Sequence, residues 1–219
     1  MKKCLLVIMA FVLILIHGTE CHAKIVKEGA PYVFPLHRES WGIIAGIDVR
    51  NYQQALGLAF VPLYTFGVSA LYPGSELSAG IELSGQEVDS DRTFTLQRDA
   101  ITVSVSQMSV NSIFLRNRIY PGIFDAEKKE GAFLDWVIRC STFYNKSTKS
   151  GFIGYDAGVG IGYSWRVLER ISIASRVGVN YLWLPAVIVD GSSEVASKSN
   201  RLDMHEVDLN FSVSAMACF

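Results

Sequence analysis

A run near the middle of the chain has the pattern that most restricts the fold. From Phe152 to Trp165, bulky apolar residues alternate with a second row that contains glycine at positions 154, 158, 160 and 162. A period of two is typical of a β-strand. A soluble sandwich rarely places so many glycines on its polar face. A narrow transmembrane barrel needs a small or polar inner row and a bulky row facing lipid, so the run favours such a barrel.

Seven further segments complete the pattern. The terminal run from Leu209 to Phe219 alternates most clearly, and similar alternation covers 171–183, 133–141, 76–84 and 41–50. A run over 56–64 places Leu56, Leu58, Phe60 and Tyr64 on one face but contains Pro62, and a run over 101–120 loses its pattern around 107–111, where a bulge would fit. We therefore predict an all-β, antiparallel up-and-down transmembrane β-barrel of about eight strands.

The beginning of the chain has the features of an export signal. Lys2 and Lys3 precede an apolar run over 5–16, and a polar segment ends in Ala23. The apolar run is shorter than the ~20 residues that a membrane-spanning helix needs. We predict a cleaved signal peptide over 1–23, a periplasmic N-terminal segment over 24–39 and the barrel domain over 40–219. A retained N-terminal anchor is the alternative.

Charge and cysteine content exclude several functions. The sequence has 20 basic and 21 acidic residues, so it predicts no nucleic-acid surface. Signal cleavage would leave only Cys140 and Cys218, too few for a disulfide framework. The sequence contains no CxxC, no HExxH and no phosphate-binding glycine loop, and we predict no metal or cofactor.

The predicted inner rows contain charges of both signs. Because the interior of an eight-stranded barrel is just wide enough for side chains, buried charges there must pair with one another or hold water. We predict a structural polar network, with a proton or ion pathway as the alternative. Its members are Asp48, Arg50, Glu76, Glu82, Asp135, Arg139, Asp156 and Arg176.

The predicted outer rows contain aromatic residues at two heights. With the C-terminus in the periplasm, Trp41, Trp136 and Trp165 would mark the periplasmic membrane interface, and Tyr181 and Trp183 the outer one. The same topology places the connections around Asn51 and over 87–98, 144–150 and 185–205 outside.

The signal peptide, the alternating strands and the terminal Phe219 together resemble small outer-membrane barrels of the OmpA/OmpX type. The resemblance implies a monomer in the outer membrane of a Gram-negative bacterium, in contact with lipid. It also implies that Phe211 and Phe219 belong to the C-terminal signal that the barrel-assembly machinery recognises.

Function is less constrained than location. We predict a non-enzymatic barrel for envelope structure, surface-loop display and adhesion, or narrow permeation, with no external ligand identified. An outer-membrane lipid-modifying enzyme is one alternative, and a soluble periplasmic lipocalin-like binding barrel is another. His37 and His205 are the histidines outside the signal peptide, and no spacing pairs either of them with a nucleophile.

Overall fold

The computed structural model describes residues 40–72, 74–85, 87, 93–96, 101–104, 107–121, 130–188 and 204–219. Eight strands close into one antiparallel barrel, which confirms the predicted fold class. These strands are β1 (Ser40–Tyr52), β2 (Leu58–Tyr72), β3 (Ser75–Ser84), β6 (Met108–Ile119), β7 (Gly131–Asn145), β8 (Ser150–Leu168), β9 (Ile171–Ile188) and β10 (Met204–Cys218). A short helix, α1 (Gln53–Leu56), and a separate hairpin of β4 (Thr93–Leu96) and β5 (Ile101–Ser104) lie in the connections.

The predicted signal peptide and periplasmic segment, and with them His37, lie outside the described residues. Within the described ranges no helix is long and apolar enough to cross a membrane.

Each barrel strand pairs with the next barrel strand along the chain, and β10 returns to pair with β1. The closing register runs from Gly42 opposite Cys218 to Arg50 opposite Asn210. At the end of β10 the Phe219 N–H donates to the Trp41 carbonyl oxygen over 2.8 Å. The terminal strand therefore completes the sheet and removes both of its edges.

The two ends of the barrel differ in their connections. At one end, the turn end, β2 and β3 are joined at 73–74, β8 and β9 at 169–170, and β6 and β7 through 120–130. At the other, the loop end, α1 follows β1, the β4–β5 hairpin lies between β3 and β6, and the remaining connections span 146–149 and 189–203. This asymmetry is typical of outer-membrane barrels.

The structure corrects two expectations about strands. The run over 101–120 is two strands, with β5 in the loop-end hairpin and β6 in the barrel wall, and Gln107, directly before β6, has a φ of 53°. Leu56 and Leu58 point inward instead of sharing an outward face with Phe60 and Tyr64. The physical reason is a shift of register between β1 and β2 and a left-handed Phe60 at φ 54°, which puts two successive residues on the outside.

Side chains on the two faces of the barrel wall differ in polarity, as the alternation predicts. The outer surface exposes large apolar residues from all eight barrel strands, for example Ile47, Phe66, Ile81, Ile113 and Val159. The interior buries charged and polar residues. This is the reverse of a soluble lipocalin-like barrel, whose outer surface faces water.

Candidate functional site in the barrel lumen

All eight predicted interior charges are buried inside the barrel, and the structure separates them into two layers. We name them by the nearer end. The loop-side layer consists of Asp48, Arg50, Glu82, Arg139 and Asp156, and the turn-side layer consists of Glu76, Arg116, Arg118, Asp135 and Arg176.

In the loop-side layer the three guanidinium nitrogens of Arg139 donate hydrogen bonds to three different carboxylates. Its Nε donates to Glu82 Oε2 over 2.9 Å, its Nη2 to Asp48 Oδ2 over 2.8 Å, and its Nη1 to Asp156 Oδ1 over 3.1 Å. Because the three acceptors come from β3, β1 and β8, one guanidinium from β7 connects four strands across the lumen. Breaking such a buried charge cluster by removing one partner is costly.

Arg50 contacts the same carboxylates from another direction. Its Nη1 donates to Asp156 Oδ2 over 3.1 Å, and its Nε to Asp48 Oδ2 over 3.3 Å. Its Nη2 lies 3.9 Å from Glu82 Oε2. The Asn210 amide donates to the remaining Asp48 oxygen over 3.4 Å. Two arginines thus pair with three carboxylates, and the layer carries one net negative charge.

The turn-side layer centres on Asp135 and Glu76. Arg176 Nε donates to Asp135 Oδ1 over 2.6 Å, and Arg118 Nε lies 3.9 Å from the other Asp135 oxygen. Arg118 Nη1 lies 3.7 Å from Glu76 Oε2. Its guanidinium also stacks over the Phe133 ring at 4.6 Å from the centroid. Arg116 is buried beside these groups, with the Phe114 ring 5.6 Å away, and has no ion pair within 4 Å among the described residues.

Three hydroxyl groups hydrogen-bond the Glu76 carboxylate. The Ser78 hydroxyl donates to Glu76 Oε1 over 2.7 Å and the Ser69 hydroxyl over 3.1 Å. The Tyr120 hydroxyl donates to Glu76 Oε2 over 3.3 Å. These contacts hold the carboxylate near the turn end.

The glycines of β8 make room for particular large side chains. A Cβ at Gly160 would lie 2.6 Å from Arg176 Nε, and one at Gly178, its register partner on β9, would lie 2.7 Å from Arg176 Cζ. A Cβ at Gly158 would collide with the Asn180 side chain, and one at Gly162 with the Phe133 ring. The glycine pair at 160 and 178 therefore forms a slot for the Arg176 guanidinium.

A buried apolar cluster, which we call the loop-end plug, fills the lumen beyond the loop-side layer. It consists of Tyr52, Ala55, Leu56, Leu58, Val61, Leu63, Met108, Val110, Phe143, Phe152, Leu182 and Leu184, with Met204 packed against it. Tyr52 and Phe143 meet edge to face, with centroids 5.0 Å apart. The Glu206 carboxylate accepts the backbone N–H groups of Gln54 and Ala55, over 2.6 and 2.9 Å, and so holds α1 in the plug.

Two smaller apolar clusters lie at the turn end. One consists of Ile44, Leu71 and Met216, with Cys218 packed against it, and the other of Tyr120, Phe133 and Ala174. Apolar groups thus cover the charged layers from both sides. The plug corrects our expectation that the inner rows contain only small or polar residues. Alternation predicts which residues point inward, but it does not predict how far along the barrel axis the inward residues change from polar to apolar.

On the outer surface the structure places all five predicted interface aromatics, Trp41, Trp136, Trp165, Tyr181 and Trp183, on the wall away from the lumen. His205 hydrogen-bonds the Tyr181 hydroxyl and stacks against Trp183, with centroids 6.5 Å apart. This part of the wall is an aromatic cluster. Phe211 and Phe219 are also exposed on the outside.

Sequence reasoning missed Arg116 and Arg118, as well as Glu206 and the buried Asp208. Arg116 and Arg118 alternate with Leu115, Asn117 and Ile119, so the signal was present. The signal is obscured because the alternation over 101–120 lapses around 107–111, so the sequence does not define one inner face for the whole run.

No protein-family model and no curated protein matches the sequence. Solved structures that align with most of it include the following three. Neisserial surface protein A is 12% identical, with 82% of this chain and 96% of that chain covered and a TM-score of 0.42. The N-terminal β-barrel domain of Pseudomonas aeruginosa OprF is 12% identical, with 82% and 98% covered and a TM-score of 0.39. A major outer membrane protein from Thermus thermophilus is 15% identical, with 84% and 100% covered and a TM-score of 0.44.

The class of protein follows from this chain's own geometry. A closed barrel, an apolar outer surface from all eight barrel strands and a charged interior define an integral β-barrel of the bacterial outer membrane. Strands of 10 to 19 residues are long enough to cross the membrane, since about 9–11 tilted residues suffice. The chain is a small outer-membrane barrel of eight strands.

Proposed function

We propose that the protein is a non-enzymatic barrel with a closed lumen, which anchors its loop-end connections at the cell surface for adhesion or envelope contacts. The observation that carries this proposal is the filling of the lumen. Two charge layers lie between the loop-end plug and the turn-end apolar clusters, so a hydrated ion would have to displace packed apolar side chains at both ends.

This filling favours a structural network over the predicted alternative of a proton or ion pathway. In the loop-side layer each carboxylate contacts at least one arginine, and Arg139 contacts three. A pathway needs groups that release their partners readily, whereas removing a partner here leaves a buried charge.

Bilayer recordings test the closed lumen. Purified barrel reconstituted in a planar bilayer should produce no conductance steps above the protein-free membrane, while a general porin in the same preparation should conduct. Regular steps from the wild-type barrel would contradict the proposal. A variant with Leu56, Leu58 and Phe143 all changed to alanine removes plug volume and should be the first to leak.

Epitope insertion tests the surface display. A short tag between Ser147 and Thr148, in the exposed loop-end turn after β7, should be labelled by antibody on intact cells. The matched control is the same tag between Glu169 and Arg170, in the exposed turn-end connection, which should be labelled only after permeabilisation. The reverse pattern would overturn the orientation.

The partners that we propose are outer-membrane lipid around the wall and the barrel-assembly machinery during insertion, with the barrel as a monomer. Phe219 supports the second partner because its backbone is fixed by Trp41 while its ring is exposed. Phe219→Ala should lower the amount of folded barrel in the outer membrane, whereas Phe66→Ala, which removes an exposed ring from β2, should not. Equal loss in both variants would argue against a specific terminal signal.

The enzymatic alternative has no specific support in the described residues. His205 is engaged with Tyr181 and Trp183 on the outer wall, and neither residue is a nucleophile of the serine–histidine type. An unchanged lipid A profile on replacing His205 and His37 with alanine is expected.

A further inference from the structure

The turn-side layer contains more buried donors than its carboxylates can satisfy. Among the described residues, the carboxylates of this layer are Glu76 and Asp135, set against Arg116, Arg118 and Arg176, so the layer by itself carries one net positive charge. Among the described residues, the inward neighbours at this height include the neutral Ser69, Ser78 and Ser214. An uncompensated buried charge is strongly unfavourable in a low-dielectric interior.

The excess is located on particular atoms. Arg118 Nε and Asp135 Oδ2 lie 3.9 Å apart, which is an ion pair too long for a hydrogen bond. Four buried guanidinium nitrogens remain with no hydrogen-bond acceptor among the described residues, namely Nε and Nη2 of Arg116 and Nη1 and Nη2 of Arg176. Both side chains are more than nine-tenths buried.

The wall is shaped to keep Arg176 in this position. Its guanidinium lies over the slot formed by Gly160 and Gly178, where any side chain would displace it. Asp135 binds its Nε, which leaves the two terminal nitrogens available to another acceptor. Arg116 projects into the lumen from β6, three strands away around the barrel, on the same inward face as Arg118 two residues later.

We propose that the turn-side layer binds one small monovalent inorganic anion, of the chloride class, through the free nitrogens of Arg116 and Arg176. One such anion balances the charge of this layer's described residues and supplies the missing acceptor. A divalent anion would leave the layer negatively charged, and an organic anion would have to displace the apolar clusters at the turn end. This site is independent of whether the loops act in adhesion.

Bromide provides a direct probe of the site. Crystals of the wild-type barrel grown in sodium bromide, with no other halide, should show an anomalous peak within hydrogen-bond distance of Arg116 and Arg176. The absence of a peak there at full data completeness would overturn the proposal. A peak confined to exposed lysines would show an adventitious ion only and would also overturn it.

Unfolding in urea gives a second measurement. At a chloride concentration ten times the dissociation constant, the ratio of folded to unfolded barrel should rise about tenfold over the value in gluconate at the same ionic strength. Arg116→Met should abolish this dependence, whereas the matched control Arg170→Met, which removes an exposed turn-end charge, should retain it.

If Arg116→Met fails to fold, Arg116→Lys provides the comparison and should bind the halide more weakly. Equal stability of the wild type in both salts at every concentration would overturn the proposal, with the donors then hydrated by water.

Discussion

The two charge layers of the lumen have similar membership but opposite balance. The loop-side layer has three carboxylates for two arginines, and Arg139 makes hydrogen bonds to all three. The turn-side layer has three arginines for two carboxylates, and Arg116 makes no ion pair among the described residues. From this difference we expect that the contribution of a buried arginine to the free energy of unfolding depends on how many of its donors have acceptors.

The largest expected effect comes from breaking the satisfied layer. Arg139→Met leaves three buried carboxylates with Arg50 alone, and should reduce the free energy of unfolding by about 3–5 kcal/mol. Urea unfolding in lipid vesicles, followed by tryptophan fluorescence and by the heat-dependent gel mobility of the folded form, measures this change. Arg170→Met, on an exposed arginine at the turn end, is the control and should change stability little. Equal effects in both variants would refute the central role of Arg139.

A smaller effect tests the slot beneath the turn-side layer. Gly160→Ala places a Cβ where Arg176 Nε lies, 2.6 Å away, so the guanidinium must move from Asp135. We expect a loss of about 1–3 kcal/mol of unfolding free energy, in the range of other overpacked interiors. Ala157→Val adds carbon on the outward face of the same strand and should be tolerated. A neutral Gly160→Ala would show that Arg176 does not depend on the slot.

The smallest effect is expected at Arg116. Arg116→Met leaves two arginines with two carboxylates in the turn-side layer, and replacing an unpaired buried charge by an apolar group of similar length removes a desolvation cost. In a halide-free buffer the change should be within about 1 kcal/mol of zero, or stabilising. The same urea measurement applies. A loss as large as that of Arg139→Met would erase the distinction between the two layers.

Much of the barrel could be predicted from the sequence, because alternation alone shows which residues of a strand face the lumen and which face lipid. The row of glycines in β8, the terminal run ending at Phe219 and the eight inward charges all depend on a period of two. The misplaced elements are those where local backbone breaks that period. Phe60 and Gln107 adopt positive φ, which neither residue type predicts from the sequence. The β5–β6 boundary and the inward turn of Leu56 and Leu58 followed from these breaks.

The sequence by itself determined the class of fold, the membrane-facing side of each regular strand and the identity of most interior charges. Only the tertiary structure decided which charges meet. Arg139 contacts Glu82, 57 residues away, and Asp48, 91 residues away, because barrel closure and strand tilt bring distant strands to the same height. The registers that set those heights also separated Arg116 from any carboxylate partner among the described residues and assembled the loop-end plug. The inward-facing residues of the sequence provide the charged groups, and barrel closure determines how many arginines and carboxylates meet in each layer.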